Sequence, residues 1–293
     1  AAGGTIICTQ YLGQKNYEMA NKSARQALFI ITAISVFIVV LGLAFRAPLL
    51  SFIFGKVDAD VMENSMVYFF YTVLSYPFIA LYDAGASIFR AQENTRGPMV
   101  ISIISNVMNI VGNGILIWVF HMGVAGAAIS TLVSRIFCAV VVLYQLRKDR
   151  QPIVVRDYLK IRPDGKMIGR ILALGIPSGI ENSMFQLGKL AIQSTVSTLG
   201  TTAIAAQAMT NMLEMLNGTA VIGVGIGLMT VVGQSLGAGR KDEAVYYMKK
   251  LMIFSEVFLI ACCAVVYVLA RPITMIGGME AKSAEMCLDM MFW

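Results

Sequence analysis

The sequence predicts an all-α protein that crosses a membrane several times, organised as two parallel repeats of six helices. Three observations lead there. The 293 residues are 57% hydrophobic and only 14% charged, against about 25% charged in a soluble domain, so charge is too scarce to cover a water-facing surface. The apolar residues fall in blocks near or beyond the roughly 20 residues that cross a bilayer. Two segments also match at a fixed spacing of 224 residues.

In chain order, Ala1 to Leu12 reads as the tail of a helix. Complete spans are expected at Ala27–Phe45, Ser65–Phe89, Met99–Phe120, Gly123–Gln145, Ile168–Leu199, Thr202–Ser235 and Leu251–Ala270, and Ala284 to Trp293 opens another. The result is seven complete spans and two partial ones. With no initiator Met and an apolar run at each end, the chain is expected to be a fragment, and no signal peptide is recognised.

Basic side chains orient these spans. Lys15, Lys22 and Arg25, then Arg90 and Arg96, the eight from Arg147 to Arg170, and Arg240, Lys241, Lys249 and Lys250 flank alternate connections, 17 of the 23 Lys and Arg. The other side has Arg46, Lys56, Arg271 and Lys282. By the positive-inside rule the first group is cytoplasmic, and the chain is expected to be a multi-pass protein of the plasma (inner) membrane. The net charge of +6 therefore serves topology, and no nucleic acid is needed as a partner.

The repeat sets Gln10-Tyr-Leu-Gly13 and Glu18-Met-Ala20 against Gln234-Ser-Leu-Gly237 and Asp242-Glu-Ala244. The same offset pairs Gly3 with Gly227 and Pro48 with Pro272. One period holds six spans, an even number, so both copies enter the membrane with the same orientation, an arrangement found among secondary transporters. Residues 1–146 are expected to form an N-lobe, 147–167 a cytoplasmic linker and 168–293 a C-lobe. Completing both repeats would give about 430 residues and twelve spans.

At this point the chain resembles the multidrug and toxic compound extrusion (MATE) family. The Gln-x-Leu-Gly turns at Gln10 and Gln234, Phe89-Arg-Ala-Gln-Glu-Asn-Thr-Arg-Gly-Pro98, and Asn109 to Asn113 followed by Gly123-Val-Ala-Gly-Ala-Ala-Ile-Ser-Thr131 carry the likeness in order and spacing. The resemblance implies twelve helices in the complete protein, of which helix one and part of helix two would precede this chain.

Ionisable groups inside a bilayer are costly and mark pathways or buried pairs. Here they are Asp83, Arg135, Glu181, Lys189, Glu214 and Glu256. Counting about 1.5 Å per residue from the turn near His121 sets Asn113 level with Thr131 and Asn109 level with Arg135, a polar cluster at mid-membrane depth. The resemblance implies an N-lobe cation site there, built from Asn109 and Thr131, with Na⁺ as one candidate occupant. Asn113 stands where the family commonly has an aspartate, and Asn does not titrate near neutral pH. Asp83, partnered by Arg135, is the expected substitute carboxylate; a purely structural ion pair is the competing reading.

In the C-lobe, Ser178, Asn182, Gln186, Lys189 and Gln193 share one helix face, as do Gln207, Asn211, Glu214 and Gly218 on the next helix. The depth count predicts a Lys189–Glu214 pair. Glu181 lies near an acidic position known in some family members, and Pro177 can bend its helix. Polar residues that merely join helices are the competing reading for this stripe.

The resemblance implies a monomeric secondary exporter that antiports lipophilic, often cationic drugs and toxic compounds against H⁺ or Na⁺ by alternating access. A lipid-linked oligosaccharide flippase is the alternative, and Arg135 and Lys189 would be its intramembrane cations. No catalytic centre is expected: the single His121 and five scattered cysteines build neither an enzyme site nor a metal site. Leu236-Gly-Ala-Gly239 lacks the flanking strand and GK[ST] of a phosphate loop, so no nucleotide cofactor is expected.

Overall fold

A computed structural model describes residues 2–54, 59–148, 152–155, 162–197, 201–276 and 285–288. Among them there is no strand. The helices are α1 (Ala2–Gly13), α2 (Tyr17–Ala44), α3 (Arg46–Phe54), α4 (Ala59–Leu74), α5 (Tyr76–Ala91), α6 (Arg96–Gly114), α7 (Gly123–Leu146), α8 (Gly165–Ser197), α9 (Thr201–Gly237) and α10 (Lys241–Ile276). A π-turn, Ile115–Val119, continues α6. The chain divides into two compact units, Ala1–Gly175 and Ile176–Trp293.

Among the described residues, six stretches are long and apolar enough to cross a membrane: Tyr17–Ala44, Met62–Ala91, Arg96–Val119, Gly123–Leu146, Thr202–Gly237 and Lys241–Ala270. The expected seventh, Ile168–Leu199, is helical over Gly165–Ser197 and long enough. Arg170, Glu181, Asn182, Gln186 and Lys189 leave it too polar to qualify on composition. The helix expected from Ala284 is described only at residues 285–288, and the rest of it lies outside the described residues.

The 224-residue offset reappears in the backbone, bond by bond. Helix α1 ends with Gln14 N–H donating to the Gln10 carbonyl, Lys15 N–H to Leu12 and Asn16 N–H to Tyr11. Helix α9 ends with Ala238 donating to Gln234, Gly239 to Leu236 and Arg240 to Ser235. Each of the second set is the first shifted by 224. Both are Schellman turns, which place one residue in the left-handed region: Lys15 at φ 56° and Gly239 at φ 77°. Asn16 then caps α2, its side-chain oxygen accepting from Met19 N–H at 3.1 Å.

Two features interrupt the regular spans. The expected helix Ser65–Phe89 is broken at Ser75, because Pro77 brings no N–H for the Val73 carbonyl and crowds it. At the end of α6, Phe120 N–H donates to the Ile115 carbonyl five residues back; this wider turn climbs less per residue than an α-helix.

The core of the first unit mixes small residues with large apolar ones. Ala20 and Ala24 of α2, Cys8 of α1, Ala84 of α5 and Cys138 of α7 are buried together with Leu28, Phe89 and Val142. Lipid gives helices no hydrophobic reason to associate, so close packing of small side chains holds them. Gly85 lies against Val142, where an added Cβ would sit 2.9 Å from both methyl groups. The outward faces are apolar, with Phe37, Ile110 and Trp118 exposed, as a lipid-facing surface requires.

Candidate functional site

Asn109, Asn113 and Thr131 come together as the sequence predicts, but at a different level. Asn109 Nδ2 donates to Thr131 Oγ1 at 3.3 Å and to Ser130 Oγ at 3.5 Å, and Asn113 Nδ2 donates to Asn109 Oδ1 at 3.3 Å. Ser130 Oγ returns a hydrogen bond to the Asn109 carbonyl at 3.0 Å. Asn109 is thus level with Ser130 and Thr131 rather than with Arg135. The π-turn contributes to the difference, since its residues climb less and bring Asn109 nearer the connection. Ser130, one step from Thr131, was missed; only the Asn109-facing side of α7 would have revealed it.

Asn113 Oδ1 is buried and has no donor. An unpaired buried acceptor is costly; the same cluster holds Asn109 Oδ1, which accepts from Asn113 Nδ2, and Thr131 Oγ1, which accepts from Asn109 Nδ2. Neutral oxygens of this kind are hard donors suited to alkali and alkaline-earth cations. No group of three or more His, Cys, Asp or Glu able to hold a metal occurs among the described residues.

Arg135 does not pair with Asp83. Its Nη1 donates instead to Ser75 Oγ at 2.5 Å, and Ser75 Oγ donates to the Thr72 carbonyl at 2.6 Å. Ser75 is fully buried at the break between α4 and α5. The physical reason is one of level. Helices α5 and α7 run in the same direction, and Gly85 faces Val142, so Arg135 lies level with residue 78. That is about 7.5 Å from the level of Asp83, and the guanidinium extends further away, toward Ser75. Asp83 is exposed on α5, on the same stripe as Tyr76 and Arg90 at seven-residue spacing.

In the second unit, Lys189 Nζ lies 3.1 and 3.3 Å from the two carboxylate oxygens of Glu214; the partners are those that the depth count predicts, but both side chains are exposed rather than buried. The ammonium also stands 5.0 Å above the Phe185 ring. Asn182 Nδ2 donates to the Ser178 carbonyl at 2.8 Å on its own helix. Glu181, Gln186 and Asn211 are exposed and Gln207 is half-buried.

The helices and their apolar faces define a multi-pass membrane protein. The sequence model of the MatE family matches it twice, over residues 1–115 and 177–293, and the chain belongs to the MatE family. A double match is what a duplicated chain gives. The chain is 28% identical over 250 residues to "Probable multidrug resistance protein YoeA" of Bacillus subtilis, covering 83% of this chain and 53% of that protein. It is 25% identical over 291 residues to "Probable multidrug resistance protein NorM" of Thermotoga maritima, covering 97% and 61%. The chain thus spans little more than half the length of these relatives. A solved MOP superfamily transporter from Pyrococcus furiosus shares the fold with a TM-score of 0.88 at 18% identity, over 99% of this chain and 64% of that one.

Proposed function

We propose that the chain is part of a secondary active exporter that moves lipophilic, often cationic compounds out of the cell in exchange for H⁺ or Na⁺. The observation that carries this reading is the Asn109–Asn113–Thr131 cluster inside otherwise apolar spans, with the unpaired Asn113 oxygen at one end of its hydrogen-bond chain. The names of the relatives support the substrate class. Alternating access needs each ligand to favour a different state. Moving a two-state equilibrium from 1:99 to 99:1 takes about 5.5 kcal/mol of differential binding.

A cation held by amide and hydroxyl oxygens supplies part of that difference by releasing the cost of the unpaired acceptor. A proton requires a carboxylate, and Asp83, with no hydrogen bond or ion pair among the described residues, is the first-unit group for that role. Protonating it removes a charge that an apolar surrounding penalises. The flippase reading is weakened by Lys189, whose charge Glu214 already neutralises, leaving Arg135 as the one remaining intramembrane cation of the two that reading invokes.

The test is dye efflux from proteoliposomes with a proton gradient and a sodium gradient imposed separately. Asp83→Asn is expected to lose at least tenfold in proton-driven efflux, about 1.4 kcal/mol of coupling. An Asp83→Asn protein with undiminished proton-driven efflux rules that residue out, and proton coupling would then have to reside elsewhere.

A further inference from the structure

We propose that residues 152–155 and 162–164, after α7, are a strap docked permanently on the first unit, and that the chain flexes only beyond it, at Gly175–Pro177 within α8. Polar, proline-bearing linkers between lobes are expected to hang free. This one is held. Three consecutive N–H groups are spent on the first unit: Ile153 donates to Gln92 Oε1 at 2.9 Å, Val154 to Asn21 Oδ1 at 2.7 Å and Val155 to the Leu146 carbonyl at 3.0 Å. Both receiving amides are themselves fixed, Gln92 Nε2 on the Ile88 carbonyl and Asn21 Nδ2 on the Tyr17 carbonyl. Each therefore presents its oxygen to the strap in a set orientation. The Ile153 and Val155 side chains are fully buried in the core of the first unit.

A second point of attachment follows. Buried Gln26 holds the strap from both ends of its amide, Nε2 donating to the Arg162 carbonyl at 2.7 Å and Oε1 accepting from Asp164 N–H at 3.2 Å. Asp164 accepts from Lys166 and Met167 N–H, capping α8, while its other oxygen pairs with Lys22 Nζ at 2.5 Å. The first turns of α8 then pack by Met167 and Ile171 against Ile7 and Ala27. A Cβ on Gly3 would meet the Ile171 carbonyl at 2.3 Å and Gly175 N at 2.9 Å, so backbone touches backbone.

This attachment ends abruptly. The boundary of the first unit falls after Gly175. Gly175 has open space where a Cβ would be, and Pro177 denies the Ala173 carbonyl its helical donor. A glycine followed two residues later by a proline is where a helix bends most easily. The strap thus joins residues 152–155, residues 162–164 and the start of α8 to the first unit, and places the joint inside the next helix.

The inference takes its conformational cycle from the exporter reading, and two measurements on the whole protein in nanodiscs keep them apart. In hydrogen exchange, the amides of residues 153–155 are expected to exchange about a hundredfold more slowly than unstructured chain. Asn21→Ala with Gln92→Ala should remove most of that protection while the α2 and α5 amides stay protected. Exchange of residues 153–155 at the unstructured rate in the unaltered protein would overturn the strap. In spin-label distance measurements from Gln14→Cys at low and high pH, with the native cysteines replaced, the distance to Lys166→Cys should stay fixed and that to Leu187→Cys should change. A moving Lys166→Cys label, or two fixed distances in a preparation that exports dye, would overturn the joint. If the same preparation moves no dye under any gradient, it is the exporter reading that has failed, and exchange protection alone decides the strap.

Discussion

Replacing Ser75 by alanine tests whether Arg135 is held at the break between α4 and α5. Ser75 is fully buried, its Oγ accepts from Arg135 Nη1 at 2.5 Å, and it donates to the Thr72 carbonyl at 2.6 Å. The Thr72 carbonyl keeps the Ser75 backbone N–H at 3.1 Å, so that side of the loss is small. The Arg135 side is not. A hydrogen bond to a charged group contributes about 1.5–3 kcal/mol, and in the centre of a span the freed guanidinium has no water to turn to. Equilibrium unfolding in mixed micelles, run as a double-mutant cycle of Ser75→Ala with Arg135→Met, should give a coupling in that range. Ser87→Ala is the control: its Oγ donates within its own helix, to the Ala84 carbonyl at 2.8 Å, and its loss should cost less than about 1 kcal/mol. A Ser75–Arg135 coupling within about 0.5 kcal/mol of zero would refute the latch.

Other outcomes follow from the same geometry. Gly239→Ala should destabilise by about 1 kcal/mol, because φ 77° burdens any side chain, while Lys15→Gly at the equivalent turn should stabilise by a smaller amount; thermal unfolding reads both. Lys189 and Glu214 are both exposed in the second unit, so reversing the pair as Lys189→Glu with Glu214→Lys should retain expression and fold, and Glu214→Lys alone should lower stability by no more than about 1 kcal/mol. The hydrogen bond from Lys22 and the Met167 and Lys166 N–H groups hold the Asp164 carboxyl below the usual aspartate range. Its contribution is present above that ordinary value and fades as pH falls through the lowered one. Proteolysis of the strap should therefore accelerate only in strong acid, and Asp164→Asn should be cut at the same elevated rate at all pH values.

The repeat was legible in the sequence as matched residues at one offset; that its two turns close with the same hydrogen bonds, one through Lys15 and the other through Gly239 in the left-handed region, came from the structure. The Lys189–Glu214 pair was legible too, since α8 and α9 are joined by a short connection and depth could be counted from it. The Asn109 cluster was legible in membership but not in level: the count assumed a regular helix, and the π-turn at Ile115–Val119 leaves no mark in composition. The partner of Arg135 was misread for a different reason. Ser75-Tyr-Pro77 lay inside an apparently continuous span, and Pro77 was the available sign that the helix breaks there and offers a hydroxyl. The docking of residues 152–155 was also missed. Ile153-Val-Val155 is a short apolar run in a polar connection, too brief to carry a period, and its three N–H acceptors come from Asn21, Gln92 and Leu146, far apart in sequence.

The exporter reading stands or falls on whether an ion gradient drives transport. With the protein in proteoliposomes, an imposed proton or sodium gradient should produce dye movement that collapses when that gradient is dissipated, and Asn109→Ala with Thr131→Ala should abolish the sodium-driven part while leaving the fold intact. Dye movement indifferent to both gradients, or sodium-driven movement undiminished in that double variant, would contradict the account.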